Sequence, residues 1–127
     1  NNKKTKKELE KFIHKEVKEH RENFIKKNLN TKKKAIFADI PLLLENKLEG
    51  RFDLVVCVIS TKKNRTERVL KNKKFSKKVL EKILKSQTTD RERRSRSNII
   101  IYNNKSKKDF ISSAEQALVE VLKWERL

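Results

Sequence analysis

The most informative stretch of this chain is Ala38-Asp39-Ile40-Pro41-Leu42-Leu43-Leu44-Glu45. It follows directly on an apolar run that begins at Ala35. Proline lacks a backbone N–H and has a fixed φ, so a strand that runs into Pro41 must stop there. The pattern predicts a strand over residues 35–39, with Asp39 and Glu45 at or just beyond its carboxyl end. Open α/β sheets bind ligands at that edge, whereas the simpler interpretation is a strand end with solvated acids.

Apolar spacing predicts helices and strands on both sides of this stretch. Helical spacing between residues 5 and 27 predicts an amphipathic helix with one buried stripe, formed by Leu9, Phe12, Ile13, Val17, Phe24 and Ile25. Continuous apolar runs predict further strands over residues 53–59 and 98–102. Residues 42–44 are predicted as a short helical turn, and residues 88–96 are identified only as a very basic segment.

Three more helices are predicted after residue 60. They cover residues 62–71, the segment that Ser76 caps, and about 107–125. The buried face of the last helix is predicted to contain Phe110, Ala114, Leu118, Val121 and Leu122. Strands that alternate with helices imply right-handed crossovers and a parallel sheet, so the predicted fold class is α/β.

The composition limits the classes of partner. The 127 residues suit one domain, and 35 Lys and Arg against 17 Asp and Glu give a net charge of +18. Such a field attracts phosphate of any kind, including DNA, RNA, ATP and coenzyme A. Tyr102 and Trp124 stand alone among the basic runs, which is unlike a stacking platform for single-stranded nucleic acid.

Cysteine and histidine usage excludes several kinds of site. The single cysteine, Cys57, excludes an internal disulfide, fits a reducing cytoplasm, and lies in an apolar run where it is predicted to be a core residue. This cysteine and two histidines, His14 and His20, form no predicted metal cluster, and the sequence has no nucleophile elbow. No apolar run approaches the ~18 residues that a membrane span needs.

Several short motifs together give the chain a family resemblance. They are Leu9-Glu10 with His14, the stretch 39–45, the stretch 68–87, Arg93, and Ile101-Tyr102-Asn103. In order and spacing these motifs resemble the C-terminal part of the dephospho-CoA kinase family, in which 39–45 reads Asp-Ile-Pro-Leu-Leu-Phe-Glu and 68–87 forms a lid. The chain departs from the family pattern at Lys15, Arg65, Asn72 and Ser97-Asn98, where the family has proline, glutamine, a second lid arginine and an Ala-Asp pair.

The resemblance implies a P-loop-kinase-type parallel sheet with flanking helices and strand order 2-3-1-4-5. The family's N-terminal portion, with its phosphate-binding loop, has no counterpart here, and one glycine, Gly50, cannot form a Gly-rich loop. The implied sheet is therefore incomplete, without its central phosphate-loop strand, and we expect a longer protein or assembly with another chain. The implied partial kinase domain, residues 1–127, divides into an acceptor-side helix (1–34), core strands (35–61), lid-like helices (62–97), and the last strand with the C-terminal helix (98–127).

The family reaction transfers the γ-phosphate of ATP to the 3′-hydroxyl of dephospho-CoA with Mg²⁺, and this chain alone is expected not to catalyse it. The resemblance implies catalytic roles for Arg68 in the lid and for Asp39, near Mg²⁺ through water or near the acceptor hydroxyl. It implies nucleotide binding by Asn103, Arg93 and Arg65, and acceptor binding by Pro41, Leu42, Leu43, Glu45 and His14.

The same residues have simpler interpretations. The arginines can be solvated surface charge. Asp39 can simply cap the end of a strand, and Glu45 can make a structural contact. Leu42, Leu43 and His14 can be packing residues, and Asn103 can be a turn residue. The alternative function is that of a degenerate kinase-like remnant, a basic binding or assembly module for RNA or another acidic partner.

Overall fold

The computed structural model describes residues 2–29, 31–72 and 74–124, and it divides into two compact units, residues 1–39 and 40–127. The first unit consists of helix α1 (Asn2–Asn28) followed by irregular backbone. Lys26 and Lys27 lie in the last turn of α1, where positive charge interacts favourably with the helix dipole. The helix predicted between residues 5 and 27 is therefore confirmed, and it extends to both sides of that range.

The predicted buried stripe of α1 is wrong. None of its residues is buried, and Phe12, for example, is 61% exposed. A helix buries its apolar face only against another helix or a sheet. The other described segment of this unit, residues 31–39, forms neither helix nor strand, so the unit contains no element to cover that face.

The predicted strand over residues 35–39 is also wrong. In the described part of the chain these residues pair with no strand, and Phe37 and Asp39 are exposed. An apolar run becomes a strand only when a neighbour accepts and donates its ladder hydrogen bonds. The run before Pro41 has no such neighbour among the described residues.

The second unit is an α/β arrangement around a parallel pair of strands, which confirms the predicted class. Strand β1 (Val56–Ile59) pairs with β2 (Ile99–Tyr102), with Val56 opposite Ile99 and Ile59 opposite Tyr102. Both strands fall within predicted runs, although β1 begins three residues later than the run from residue 53. In the implied order the runs over residues 53–59 and 98–102 correspond to the fourth and fifth strands, which are neighbours, as β1 and β2 are here.

Three helices lie in the crossover between the strands, and one follows them. In chain order they are α2 (Lys62–Lys71), α3 (Lys77–Ser86), α4 (Asp90–Arg96) and α5 (Lys107–Lys123). The Ser76 hydroxyl accepts a hydrogen bond from the Val79 N–H, so the predicted cap of α3 is confirmed. Helix α4 was not predicted; the Thr89 hydroxyl caps it by accepting from the Glu92 N–H.

The core lies between β1, β2 and the helices packed on them. Its buried apolar residues are Leu44, Val55, Ile59, Leu80, Ile101 and Ala117. Helix α5 packs on β2, α4 on β1, and α2 on α3. The predicted face of α5 is partly wrong, because Leu118 is 44% exposed and Leu122 is also exposed, whereas Ala117 is buried. The face that packs on the sheet is therefore rotated relative to the predicted one. It contains Ala117 together with Phe110 and Ala114, which are half-buried.

The segment after Pro41 forms hydrogen-bonded turns rather than a regular helix. The Leu42 carbonyl accepts from the Asn46 N–H at 3.0 Å, and the Leu43 carbonyl accepts from the Leu48 N–H at 3.0 Å. Leu42 and Lys47 have φ values of 55° and 53°, which prevent continuous helical backbone. The turn predicted at residues 42–44 is therefore present in irregular form.

Candidate functional site

The carboxyl end of β1 leads directly into a basic helix. Ser60, which follows β1, is buried, and Thr61 caps α2 by accepting from the Asn64 N–H at 3.2 Å. Arg68 lies two turns into α2, and its Nη1 donates to Ser60 Oγ at 3.4 Å. The helix therefore directs this arginine back toward the strand end.

A second arginine of α2 meets an arginine of α4. Nη1 of Arg65 and Nη1 of Arg93 both donate to Oδ1 of Asp90, each at 2.8 Å. The side chains of Arg65 and Asp90 are 27% exposed and that of Arg93 is 15% exposed. Arg93 Nη2 also approaches Gln87 Oε1 at 3.5 Å. We call Arg65, Arg93 and Asp90 the arginine cluster.

The charge of the arginine cluster is positive. Burial by itself would raise the pKa of Asp90, but the hydrogen bonds from Arg65 and Arg93 outweigh it and hold the pKa below its ordinary value of 3.8. Asp90 is therefore ionised at neutral pH, and one carboxylate faces two guanidinium groups. Partly buried guanidinium groups bind phosphate oxygens with fork geometry, so the cluster can hold an anion.

The carboxyl end of β2 is tied to the beginning of α2. The Asn103 N–H donates to the Ile59 carbonyl at 2.8 Å, which extends the sheet by one hydrogen bond. Oδ1 of Asn104 accepts from the Thr61 N–H at 2.8 Å, and Asn64 Nδ2 donates to the Asn104 carbonyl at 3.3 Å. Asn103, a predicted site residue, thus lies at the same sheet edge as Ser60, and Asn104 joins the two strand ends.

The turns after Pro41 are anchored to α4. Oε2 of Glu45 accepts from the Thr88 N–H at 3.4 Å. Arg96 donates through Nε to Glu49 Oε1 at 2.7 Å and through Nη2 to the Leu44 carbonyl at 2.7 Å. A backbone hydrogen bond and those from Arg96 hold the pKa of Glu49 below its ordinary value. Of the two interpretations of Glu45, acceptor binding and a structural contact, the hydrogen bond to Thr88 corresponds to the second.

Within the second unit, no described contact joins Pro41, Leu42 or Leu43 to the arginine cluster. His14 and Asp39 belong to the first unit, where both are exposed. Pro41 and Leu42 are exposed and Leu43 is half-buried. The structure thus brings together Arg65 and Arg93, with Arg68 and Asn103 at the adjoining strand ends.

Sequence reasoning missed Asp90, Asn104, Glu49 and Arg96. A local signal existed for Asp90, because Thr89 followed three residues later by Glu92 is the pattern of a helix N-terminus. No local signal existed for the Arg96–Glu49 pair, whose members are 47 residues apart.

Other kinds of site find no support in the described residues. Within them, no group of three His, Cys, Asp or Glu side chains could hold a metal ion. Cys57 is half-buried, and burial raises the pKa of its thiol, so a reactive thiolate is disfavoured. Across the same part of the chain, no helix combines the length and the apolar character needed to cross a membrane.

Comparisons with known proteins agree with the resemblance. A model of the family described as dephospho-CoA kinase matches residues 1–109. The dephospho-CoA kinase of Bartonella henselae is 36% identical over 110 residues, 87% of this chain and 55% of the relative. The dephospho-CoA kinase of Fusobacterium nucleatum is 33% identical over 92 residues, which are 71% of this chain and 48% of that relative. The chain spans about half the length of the curated relatives it matches. It belongs to the dephospho-CoA kinase family.

Proposed function

We propose that this chain takes part in transfer of the γ-phosphate of ATP to the ribose 3′-hydroxyl of dephospho-CoA. The observation that supports the proposal is the convergence of Arg65 and Arg93 on Asp90, with Arg68 reaching the strand end. Phosphoryl transfer depends mainly on positioning and on neutralising phosphate charge. Guanidinium groups from two helices provide both functions.

The arginines and Asn103 form the nucleotide side of the proposed site. Arg68 acts from the lid helix α2, because its guanidinium reaches back to Ser60 at the carboxyl end of β1. Arg65 and Arg93 hold phosphate oxygens, since fork-like donors suit such oxygens. Asn103 contacts the adenine side from the end of β2, an assignment that rests on its position after that strand.

Two further groups of residues have proposed roles, Asp39 toward Mg²⁺ and the turns after Pro41 toward the acceptor. Mg²⁺ is commonly held by one or two carboxylates together with substrate phosphates, and the exposed carboxylate of Asp39 suits that donor set. When bound, the ion would neutralise charge on the transferring phosphate. Pro41, Leu42 and Leu43 wall the acceptor pocket, and Glu45 contributes mainly by anchoring these turns to Thr88. A role for His14 in binding the acceptor rests on the family resemblance alone.

The proposed reaction needs groups that these 127 residues do not provide. One glycine cannot form a phosphate-binding loop, and loss of such electrostatic elements typically costs several orders of magnitude in rate. Val56 and Val58 of β1 are exposed, and within the described residues β2 is the one strand that pairs with β1. We propose that a further segment, of the same polypeptide or of another chain, completes the sheet there, in a cytoplasmic enzyme.

A coupled kinase assay with ATP, Mg²⁺ and dephospho-CoA tests this function. The assay compares this chain, the complete product of its gene, and Arg93→Gln and Arg94→Gln variants of that product. Arg94 is the matched control, because it lies on α4 beside Arg93 but is exposed. We expect the complete product to be active, this chain to be inactive, and Arg93→Gln to lose about tenfold or more in kcat/KM while Arg94→Gln stays within about twofold.

Failure of a folded complete product would contradict the proposed reaction. The basic binding module would then be tested by RNA affinity at several salt concentrations. Non-specific RNA binding falls steeply between low and moderate salt, because it depends on counterion release. A shaped nucleotide site would instead distinguish ATP from inorganic phosphate.

A further inference from the structure

Asp90 uses only a small part of the donor capacity of its two arginine partners. Each guanidinium group has five N–H donors, and Asp90 accepts one Nη1 donor from each through a single oxygen, Oδ1. Arg65 Nε is buried and has no hydrogen-bond partner among the described residues. Arg93 Nη2 also donates to Gln87 Oε1 at 3.5 Å. The side chains of Arg65 and Arg93 are still 27% and 15% exposed, so the part of each guanidinium group that reaches the surface can donate to an anion there.

We infer that Asp90 is a positioning residue, which fixes the guanidinium groups of Arg65 and Arg93 so that their remaining donors bind phosphate oxygens. This inference rests on the proposed function, since the phosphates would be those of the nucleotide. It goes beyond that function because it assigns a role to a residue that touches no substrate. Arg65 lies on α2 and Arg93 on α4, so the Asp90 carboxylate also fixes these helices relative to each other.

Two alternatives predict the opposite result when the charge of Asp90 is removed. If the carboxylate merely competes with phosphate for the arginines, its loss frees both guanidinium groups and phosphate binds more tightly. If only net charge matters, losing one negative charge again strengthens the binding of an anion. A positioning role predicts weaker binding, because two unrestrained guanidinium groups of like charge separate and lose their shared geometry.

Tripolyphosphate binding to this chain, measured by titration calorimetry at fixed salt, decides among these. The variants are Asp90→Asn, Asp90→Glu and the matched control Glu92→Gln, which removes the same charge from the same helical turn at an exposed position. We expect Asp90→Asn to weaken affinity about fivefold or more, Asp90→Glu to restore most of it, and Glu92→Gln to stay within about twofold. Thermal unfolding of each variant shows that it is folded.

Arg65→Lys gives a second test if Asp90→Asn does not fold. Lysine keeps the positive charge but lacks the planar donor fork, so we expect a comparable loss of tripolyphosphate affinity. If Asp90→Asn folds and binds tripolyphosphate as tightly as the unsubstituted chain or more tightly, the inference is overturned. If only Arg65→Lys folds, the same result for Arg65→Lys overturns it. So does a failure of the unsubstituted chain to bind tripolyphosphate.

The kinase assay separates this inference from the proposed reaction. If the complete product is active and Asp90→Asn does not change its tripolyphosphate affinity, the positioning role alone is refuted. An inactive but folded complete product in which Asp90→Asn still weakens tripolyphosphate binding would refute the reaction and leave the anion-binding role of the pair standing.

Discussion

Replacing Asn98 with alanine tests the contact that joins the beginnings of the two strands. Oδ1 of Asn98 accepts from the Val55 N–H at 2.8 Å, and the Asn98 N–H donates to the Val55 carbonyl at 2.9 Å. Val55 is buried, so the substitution would leave its N–H without an acceptor. A buried unpaired donor costs about 1–3 kcal/mol, and we expect Asn98→Ala to lower the free energy of unfolding by about 2 kcal/mol.

Asn98→Asp is the matched control, because a carboxylate keeps an acceptor oxygen at the same place. It also introduces the acid that the family pattern has at this position. We expect its free energy of unfolding to stay within about 1 kcal/mol of the unsubstituted chain, since the acceptor is retained and charged acceptors form stronger hydrogen bonds.

Urea unfolding followed by circular dichroism measures both variants, with hydrogen exchange of the Val55 amide as a local measurement. A loss of about 2 kcal/mol in a unit of this size corresponds to a decrease of roughly 8–16 °C in Tm. The reasoning is refuted if Asn98→Asp is as unstable as Asn98→Ala. It is also refuted if Asn98→Ala unfolds like the unsubstituted chain, since the acceptor would then contribute nothing.

Three further predictions concern the helices of the crossover. Leu80 on α3 is 4% exposed, so we expect Leu80→Ala to cost about 2–5 kcal/mol of unfolding free energy in urea, and Val79→Ala at the neighbouring exposed position less than about 1 kcal/mol. Thr89→Ala removes the cap of α4 and should cost about 1 kcal/mol in the same measurement, whereas Thr89→Ser should cost little. Burial alone would raise the pKa of Asp90, but its arginine partners hold it below 3.8, so this carboxylate stabilises the fold above that pH and the contribution disappears as pH falls through the lowered pKa. Urea unfolding between about pH 7 and about pH 2.5 should therefore show a smaller acid loss for Asp90→Asn than for the unsubstituted chain, and equal losses would contradict the ion pairing.

Four of the five α-helices in the described part of the chain could be predicted because their signals are local. Helical spacing identified α1 and α5, and the hydroxyl of Ser76 identified the beginning of α3. Helix α4 has seven residues, all of them polar or charged, so it shows no apolar period. Its only local signal was the capping pattern at Thr89.

Burial and pairing were less predictable because they depend on distant neighbours. The stripe of α1 and the run over residues 35–39 have the composition of buried elements, but the described residues of their unit contain nothing to cover or pair with them. On α5, Leu118 is as apolar as the stripe requires, yet Leu118 is exposed and the neighbouring Ala117 is buried. Spacing alone does not fix the rotation of a helix to within one residue.

The candidate site could be predicted only in part. The stretch 39–45 and the arginines were identifiable from motifs in the sequence. The acid that joins Arg65 to Arg93 is 25 residues from Arg65, and no local pattern links such distant residues. One departure from the family pattern also became interpretable only in three dimensions, since Asn98 supplies the acceptor oxygen that its carboxylate counterpart would supply.

The parallel pairing of β1 and β2 has a consequence for the order of folding. Val55 and Asn98, which begin the pair, are 43 residues apart, and the whole crossover must be made before they can meet. At synthesis rates of roughly 5–20 residues per second, β1 waits about 2–9 s for its partner. During that interval the apolar run of β1 lacks its ladder hydrogen bonds to β2. A nascent chain paused within the crossover would therefore expose the β2-facing edge of β1, which is a binding target for chaperones that recognise extended apolar segments.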